Sequence, residues 1–262
     1  MKTVIVAIGN ELLNGKIHDY NSYWIAKRLT NLGYEVKRIF IIPDAIEAIL
    51  ETLEWCQEKE VKLVITTGGL GPTPGDLTLN AIAKFIGKKL VLSEEATAFV
   101  KKRYEELYRL GYVSSPKLNE NRLKMAKVPE GSKLIYNDVG VAPGVITRKD
   151  DMTILSMPGV PSEMMYILEK AIPLLPKPVE RKVFITETRV HLGDESILAD
   201  IFSDIMSLYP KLRIKSYPEG FGENVAMRII IECECKERSE AEDVFKKALE
   251  ILDKKVRELT EK

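Results

Sequence analysis

Three carboxylates, Glu11, Asp44 and Asp76, each follow closely on an apolar run that reads as a β-strand, at residues 4–8, 35–42 and 63–66. In an open α/β sheet, ligands bind beyond the carboxyl ends of the strands, so three acids at one sheet edge define a candidate site. The third belongs to a glycine-rich turn, Thr-Thr-Gly-Gly-Leu-Gly-Pro-Thr-Pro-Gly-Asp-Leu-Thr, spanning residues 66–78, which leads into a helical pattern near Leu79. Glycine lets backbone N–H groups approach an anion, and the following helix N-terminus adds positive dipole and unpaired donors. Carboxylates do not bind phosphate directly, so acids beside such a cradle imply a bridging hard cation, Mg²⁺ or alternatively Mn²⁺. A further carboxylate would orient or deprotonate water for hydrolysis, while attack by a second substrate's phosphate would give nucleotidyl transfer.

Each feature also has a plain structural reading. Asp44 before Ala45, Asp76 and Ser162 are all helix-cap candidates, and the glycine run also suits a tight strand-to-helix connection. The turn is neither Gly-x-x-x-x-Gly-Lys-Ser/Thr nor Gly-x-Gly-x-x-Gly. Arg122 and Lys124 are candidates to neutralise a diphosphate if their loop reaches the pocket, with surface solvation as the alternative. Ser162 and Glu163, after Pro158-Gly159, open a helix whose N–H groups would face an anion or a sugar. Cys56, Cys233 and Cys235 give an odd count without four metal ligands, so no zinc site is expected, and His18 and His191 lack ligand spacing, so core or surface roles are expected for both.

The elements that must hold these residues alternate. Strands at 4–8, 35–42 and 63–66 are interleaved with helices at 21–32, 45–59 and 79–86, the first helix being reached through a long loop. This order predicts a mostly parallel sheet covered on both faces, a three-layer α/β/α domain. Ser93 starts a further helix running to Leu110, short strands follow around Leu134, Val145 and Ile154, and a helix covers 162–175. Pro173, Pro176 and Pro178 mark a boundary, giving domains at 1–176 and 177–262. The second is a small α+β unit: strand 181–190, helix 195–208, strands 212–216 and 225–235, helix 239–259. Its order is KH-like, but it lacks a Gly-x-x-Gly loop and carries more acids than bases, so packing or dimerisation is expected rather than RNA binding.

The chain has 262 residues, 39 basic and 39 acidic, and this balance argues against a broad nucleic-acid footprint. No apolar stretch approaches the roughly 18 residues of a membrane span, and the apolar start is broken at Asn10 and Glu11, unlike a secretory leader. A cytoplasmic protein with a small-molecule partner is expected. Abundant Lys and Glu with a single glutamine, Gln57, match a thermophile composition.

Taken in order, several motifs resemble the CinA family, whose amino-terminal portion has the MoaB/MogA-type molybdopterin-binding fold. They are Gly9-Asn10-Glu11-Leu12-Leu13-Asn14-Gly15 with Asp19 and Asn21, Pro43-Asp44, the turn Thr66 to Thr78, Ala142-Pro143-Gly144, and Met157-Pro158-Gly159-Val160-Pro161-Ser162-Glu163-Met164. The resemblance covers nearly the whole chain and implies a MogA-like first domain followed by a small CinA-type domain. It implies a catalytic pair, Asp44 and Asp76, which would also hold the metal, and hydrolysis of ADP-ribose or a similar diphosphate. The expected substrate contacts are Gly9, Glu11, Asp19, Asn21, Thr67, Gly68, Gly69, Gly71, Thr73, Thr78, Pro158, Gly159, Ser162 and Glu163. Molybdopterin binding or adenylylation is the first alternative; the second is a nucleotide-sensing homo-oligomer, with a dimer favoured. Two departures matter: Gly75 stands where many CinA sequences have the first of two acids, and the deamidase segment of many bacterial relatives is absent from this sequence, so no amidase activity is expected.

Overall fold

A computed structural model describes residues 1–178, 182–191, 195–219 and 226–260, which divide into two units, Met1–Pro178 and Val179–Lys262. The first unit begins with β1 (Lys2–Ile8), α1 (Asn10–Leu13), α2 (Tyr20–Asn31), β2 (Glu35–Ile42), α3 (Ile46–Glu58), β3 (Leu63–Thr67) and α4 (Thr78–Phe85). It continues with β4 (Leu90–Leu92), α5 (Glu94–Arg109), α6 (Glu120–Lys124), β5 (Lys127–Pro129), β6 (Lys133–Ile135), β7 (Gly144–Lys149), β8 (Met152–Met157) and α7 (Pro161–Ala171).

Six strands form one sheet in the order β2-β1-β3-β8-β7-β6. The pairs β1/β2, β1/β3 and β3/β8 are parallel, and β7 runs antiparallel to both β8 and β6. Strands β3 and β8 are buried along their whole length, which is why they read as near-continuous apolar runs. Side-chain alternation along β1 serves two layers. Ile5 meets Ile25 and Leu29 of α2 and Met164 and Ile167 of α7, while Val4, Val6 and Ile8 meet Ile49 and Leu53 of α3 and Ile82 of α4. The expected three-layer architecture is therefore present.

Several local expectations differ. The loop after β1 contains the one-turn helix α1, too short to carry a periodic signal. Residues 90–92 and 127–129 pair as a separate two-stranded ladder, where only a turn was expected around Pro129. The helix expected to reach Leu175 ends at Ala171 and passes into a 3₁₀ turn, Ile172–Leu174, containing Pro173.

The second unit comprises β9 (Lys182–His191), α8 (Glu195–Leu208), β10 (Leu212–Glu219), β11 (Ala226–Cys235) and α9 (Arg238–Thr260). Its antiparallel sheet, in the order β10-β11-β9, has its own core, including Leu198, Ile205, Ile229 and Leu252. The expected strand starts Arg181 and Val225 lie outside the described residues. All three cysteines are buried; burial pushes the Cys56 thiol up to about 12 and the Cys233 thiol up to about 11, as fits core residues rather than reactive ones. Among the described residues no helix is long and apolar enough to cross a membrane.

Candidate functional site

The parallel part of the sheet changes direction around β1: the chain passes from β1 outward to β2, and returns to the other side of β1 as β3. Beyond the carboxyl ends of these strands lies a cavity of about 770 Å³. Glu11 follows β1, Asp44 follows β2, the glycine turn follows β3 and Pro158-Gly159 follows β8, and all of them line it. This is the crevice position expected of a ligand site in an open α/β sheet.

The turn is held from below. Gly68 N donates to Met157 O at 2.9 Å, Thr78 Oγ1 donates to Gly68 O at 2.9 Å, and Thr78 N donates to Gly69 O at 3.3 Å. Gly68 has φ 106° and a Cβ there would lie 2.1 Å from Ile8 O, so β1 and β3 approach too closely for any side chain. Among the described residues the N–H groups of Gly69, Leu70 and Gly71 have no hydrogen-bond acceptor, which leaves three consecutive donors for an anion.

The acids are positioned by hydrogen bonds rather than by the cap roles considered from sequence. Asp76 Oδ2 accepts from Thr73 N at 2.8 Å and from Thr73 Oγ1 at 2.6 Å, bracing the turn, while the N-cap of α4 is Leu77. Asp44 Oδ2 accepts from Asn10 N at 2.9 Å, tying the loop after β2 to α1, and the N-cap of α3 is Ala45. Each aspartate keeps its Oδ1 free of hydrogen bonds among the described residues. Ser162 does not cap α7, whose N-cap is Val160 with Pro161 at the first turn.

Asp19 is the cap of α2, accepting from Ser22 N at 3.0 Å, and it lines the cavity. Asn21 Nδ2 donates to Thr67 Oγ1 at 2.9 Å and to Gly159 O at 2.8 Å, and Thr67 Oγ1 donates onward to Pro158 O at 2.9 Å. This chain knits the ends of β3 and β8 to α2. Asn21 Oδ1 is buried and has no partner among the described residues.

Glu163 lies in the first turn of α7 and lines the same cavity. Its Oε2 accepts from Asn137 Nδ2 at 2.6 Å. Burial raises its carboxyl above the usual carboxylate range, opposed by the Asn137 hydrogen bond and the charge of Arg103.

Most of the expected contact residues therefore share one cavity: Glu11, Asp19, Asn21, Asp44, Thr67, Gly68, Gly69, Gly71, Thr73, Asp76, Pro158, Gly159 and Glu163. Gly9, Thr78 and Ser162 are not among its lining residues; Thr78 is fully buried beneath the turn. Arg122 serves the scaffold, donating to Ser115 O and Lys117 O and standing 3.9 Å over the Tyr104 ring. Lys124 does reach the turn, where its Nζ donates to Thr73 O. His18, Tyr104, Met125, Gly140 and Val141 also line the cavity and were not anticipated. Ala142, another lining residue, was visible only as part of the Ala142-Pro143-Gly144 motif.

Among the described residues no three His, Cys, Asp or Glu side chains gather as a metal centre. The donor set instead suits a cation that arrives with phosphate. Mg²⁺ is commonly held by one or two carboxylates together with substrate oxygens and waters, and Asp44 and Asp76 each retain a free oxygen.

Fold and site together define a three-layer α/β protein with a small-ligand cavity at the sheet's switch point, walled by a glycine turn and carboxylates. The family described as "Probable molybdopterin binding domain" matches residues 4–177, and the chain belongs to that family. It is 39% identical over 228 residues to Protein PH0439 of Pyrococcus horikoshii, covering 87% of this chain and 88% of that one. It is also 39% identical over 230 residues to Protein TK1472 of Thermococcus kodakarensis, covering 88% and 90%. A crystal structure of the protein CinA, with unknown function, from Thermoplasma acidophilum superposes with a TM-score of 0.60 at 35% identity, covering 66% of this chain and 98% of that one. The likeness to CinA expected from the motifs is thus present in both sequence and fold.

Proposed function

We propose that this cavity binds a heterocycle carrying a diphosphate and hydrolyses the anhydride, with ADP-ribose as the model substrate. The observation that carries this reading is the meeting of two carboxylates, Asp44 and Asp76, with three uncommitted N–H groups in one cavity. The donors of Gly69, Leu70 and Gly71 receive phosphate oxygens without reorganisation, because Thr78 and Met157 already fix the turn. The ammonium of Lys124 on Thr73 O adds positive charge beside them. A divalent cation, held by Asp44 and Asp76, would supply charge neutralisation at phosphorus. A free carboxylate oxygen of either aspartate orients the attacking water and accepts its proton as the phosphorus–oxygen anhydride bond breaks. The products are AMP and ribose 5-phosphate.

A second reading, molybdopterin binding or adenylylation, is favoured by the family description matched over residues 4–177. One experiment separates the two. The purified protein and its Asp76→Asn variant are incubated with ADP-ribose and Mg²⁺ or Mn²⁺, and pterin fluorescence is sought in the purified material. AMP and ribose phosphate from the native protein, lost in a variant with unchanged circular dichroism, support the hydrolase. A co-purifying pterin without these products supports the second reading, and equal turnover by Asp76→Asn removes the mechanism.

A further inference from the structure

A second cavity, of about 600 Å³, lies at the opposite end of the sheet from the first and shares no lining residue with it. Its position follows from the strand order. Strand β8 ends at the first cavity, so the antiparallel β7 carries its last residues away from there, and β6 begins beside them with Lys133 facing Ile146. Strand β7 then continues through Thr147, Arg148 and Lys149 with no partner from β6. The residues before Lys133 leave the sheet edge in a turn, where Ser132 N donates to Pro129 O at 3.1 Å. The cavity occupies this notch, between the start of β6, the end of β7 and the residues following α4.

Three cations, Lys88, Lys133 and Arg148, line the notch against one carboxylate, Glu130. All four are exposed, and among the described residues none of their side chains makes a salt bridge or a hydrogen bond. The end of α4 would ordinarily compete for the cations, because a helix carboxyl end attracts positive charge. It is already served: Lys149 Nζ donates to Phe85 O at 2.7 Å, while Lys88 N and Gly87 N donate to Ala83 O and Lys84 O at 2.9 and 3.1 Å. An excess of two positive charges is therefore left for a ligand. The Thr147 hydroxyl, buried in the wall beside Arg148, has no partner among the described residues, so its dipole is free to turn toward an anion. Ile86, Ile146 and Leu174 supply apolar wall next to these charges.

We propose that this second cavity binds a small phosphomonoester, with its phosphate on Lys88, Lys133 and Arg148 and its carbon body against Ile86, Ile146 and Leu174. A phosphomonoester carries between about 1.5 and 2 negative charges at neutral pH, which matches the excess on the lining. The Arg148 guanidinium offers parallel N–H donors to two phosphate oxygens. Inorganic phosphate would leave the apolar wall unused.

The test is lysine footprinting with glucose 6-phosphate as the probe, and glucose and inorganic phosphate as controls at constant ionic strength. The native protein and the double variant Lys133→Gln/Arg148→Gln are acetylated briefly, and each lysine is read by mass spectrometry. The substituted side chains are exposed and unpaired, so the double variant is expected to keep the native Tm. Glucose 6-phosphate is expected to slow acetylation of native Lys88 and Lys133 at least about threefold, leave the exposed Lys27 of α2 unchanged, and lose its effect on Lys88 in the double variant. No slowing at Lys88 and Lys133 overturns the inference, as does equal slowing at Lys27, which would be general screening. Protection confined to Lys124 would place the phosphate at the glycine turn and also overturns it. So does equal protection by inorganic phosphate, since the carbon body would then have no place, or an unchanged Lys88 effect in the double variant. Because the two cavities share no residue, each of these results leaves the hydrolase reading untouched.

Discussion

At Gly9, Gly71 and Gly140 a Cβ would fall 2.4, 2.9 and 2.0 Å from the carboxyl groups of Glu11, Asp76 and Glu163 respectively. Around this cavity, glycine therefore makes room for acids as well as exposing backbone donors. Gly71→Ala is expected to push Asp76 off its bond to Thr73 and to lower kcat on ADP-ribose by about 10²-fold with little change in Tm, since a displacement of roughly 1 Å is enough for such a loss. Gly68→Ala faces the backbone oxygen of Ile8 rather than a movable side chain, so it should instead destabilise the fold by about 2 kcal/mol or more, measured by urea unfolding. Glu163 carries a pH signature. Its carboxyl is raised in the folded state, so the fold holds that proton more tightly than the unfolded chain does; this contribution is present at low pH and is lost as pH rises through the folded value. Glu163→Gln should accordingly have the higher Tm at neutral pH, and the difference should close as pH falls below the ordinary carboxylate range. The places of Asp44 and Asp76 on the cavity wall were legible because each follows a strand. Gly140 was not, because nothing in the sequence announces that residue 140 meets residue 163.

Among the elements, those long enough to show a period were legible: the helix over 195–208 has the expected bounds, and α2, α3 and α5 shift by a residue at each end. The four- and five-residue helices α1 and α6 and the three-residue strands β4 and β5 span too few residues for periodicity to register. That gap hid one wall of the site. Helix α5 and the segment between α6 and β5 contribute to a small core of Ala96, Phe99, Val100, Tyr104, Met125, Ala126 and Ala142, and Leu70 of the glycine turn is buried in it. The turn is thus anchored at its middle by an apolar side chain and at Thr73 by Lys124. Leu70→Ala should cost about 2–4 kcal/mol in urea unfolding through the cavity it leaves. It should also weaken diphosphate binding, because the donors on both sides of residue 70 lose their anchor. Normal affinity in a measurably destabilised Leu70→Ala protein would show that the turn keeps its shape without that core.

For the molecule as a whole, the three prolines near residue 176 fall beside the division observed at Pro178, where the alternating pattern ends. Each side of that division has its own buried cores: those of the first unit draw on residues up to Leu175, and that of the second on residues from Phe184 to Val256. All cavity residues, from Ile8 to Glu163, belong to the first unit. The CinA structure from Thermoplasma acidophilum, matched over 98% of its chain but only 66% of this one, has a chain of about first-unit length. A fragment of residues 1–178 is therefore expected to unfold in a single cooperative transition and to bind ADP-ribose within about threefold of the full chain's Kd, a difference below 1 kcal/mol. Calorimetric titration of the fragment and the full chain side by side decides this. A folded fragment that has lost binding would mean the second unit completes or orders the site, whereas equal binding leaves that unit free for an independent role such as self-association.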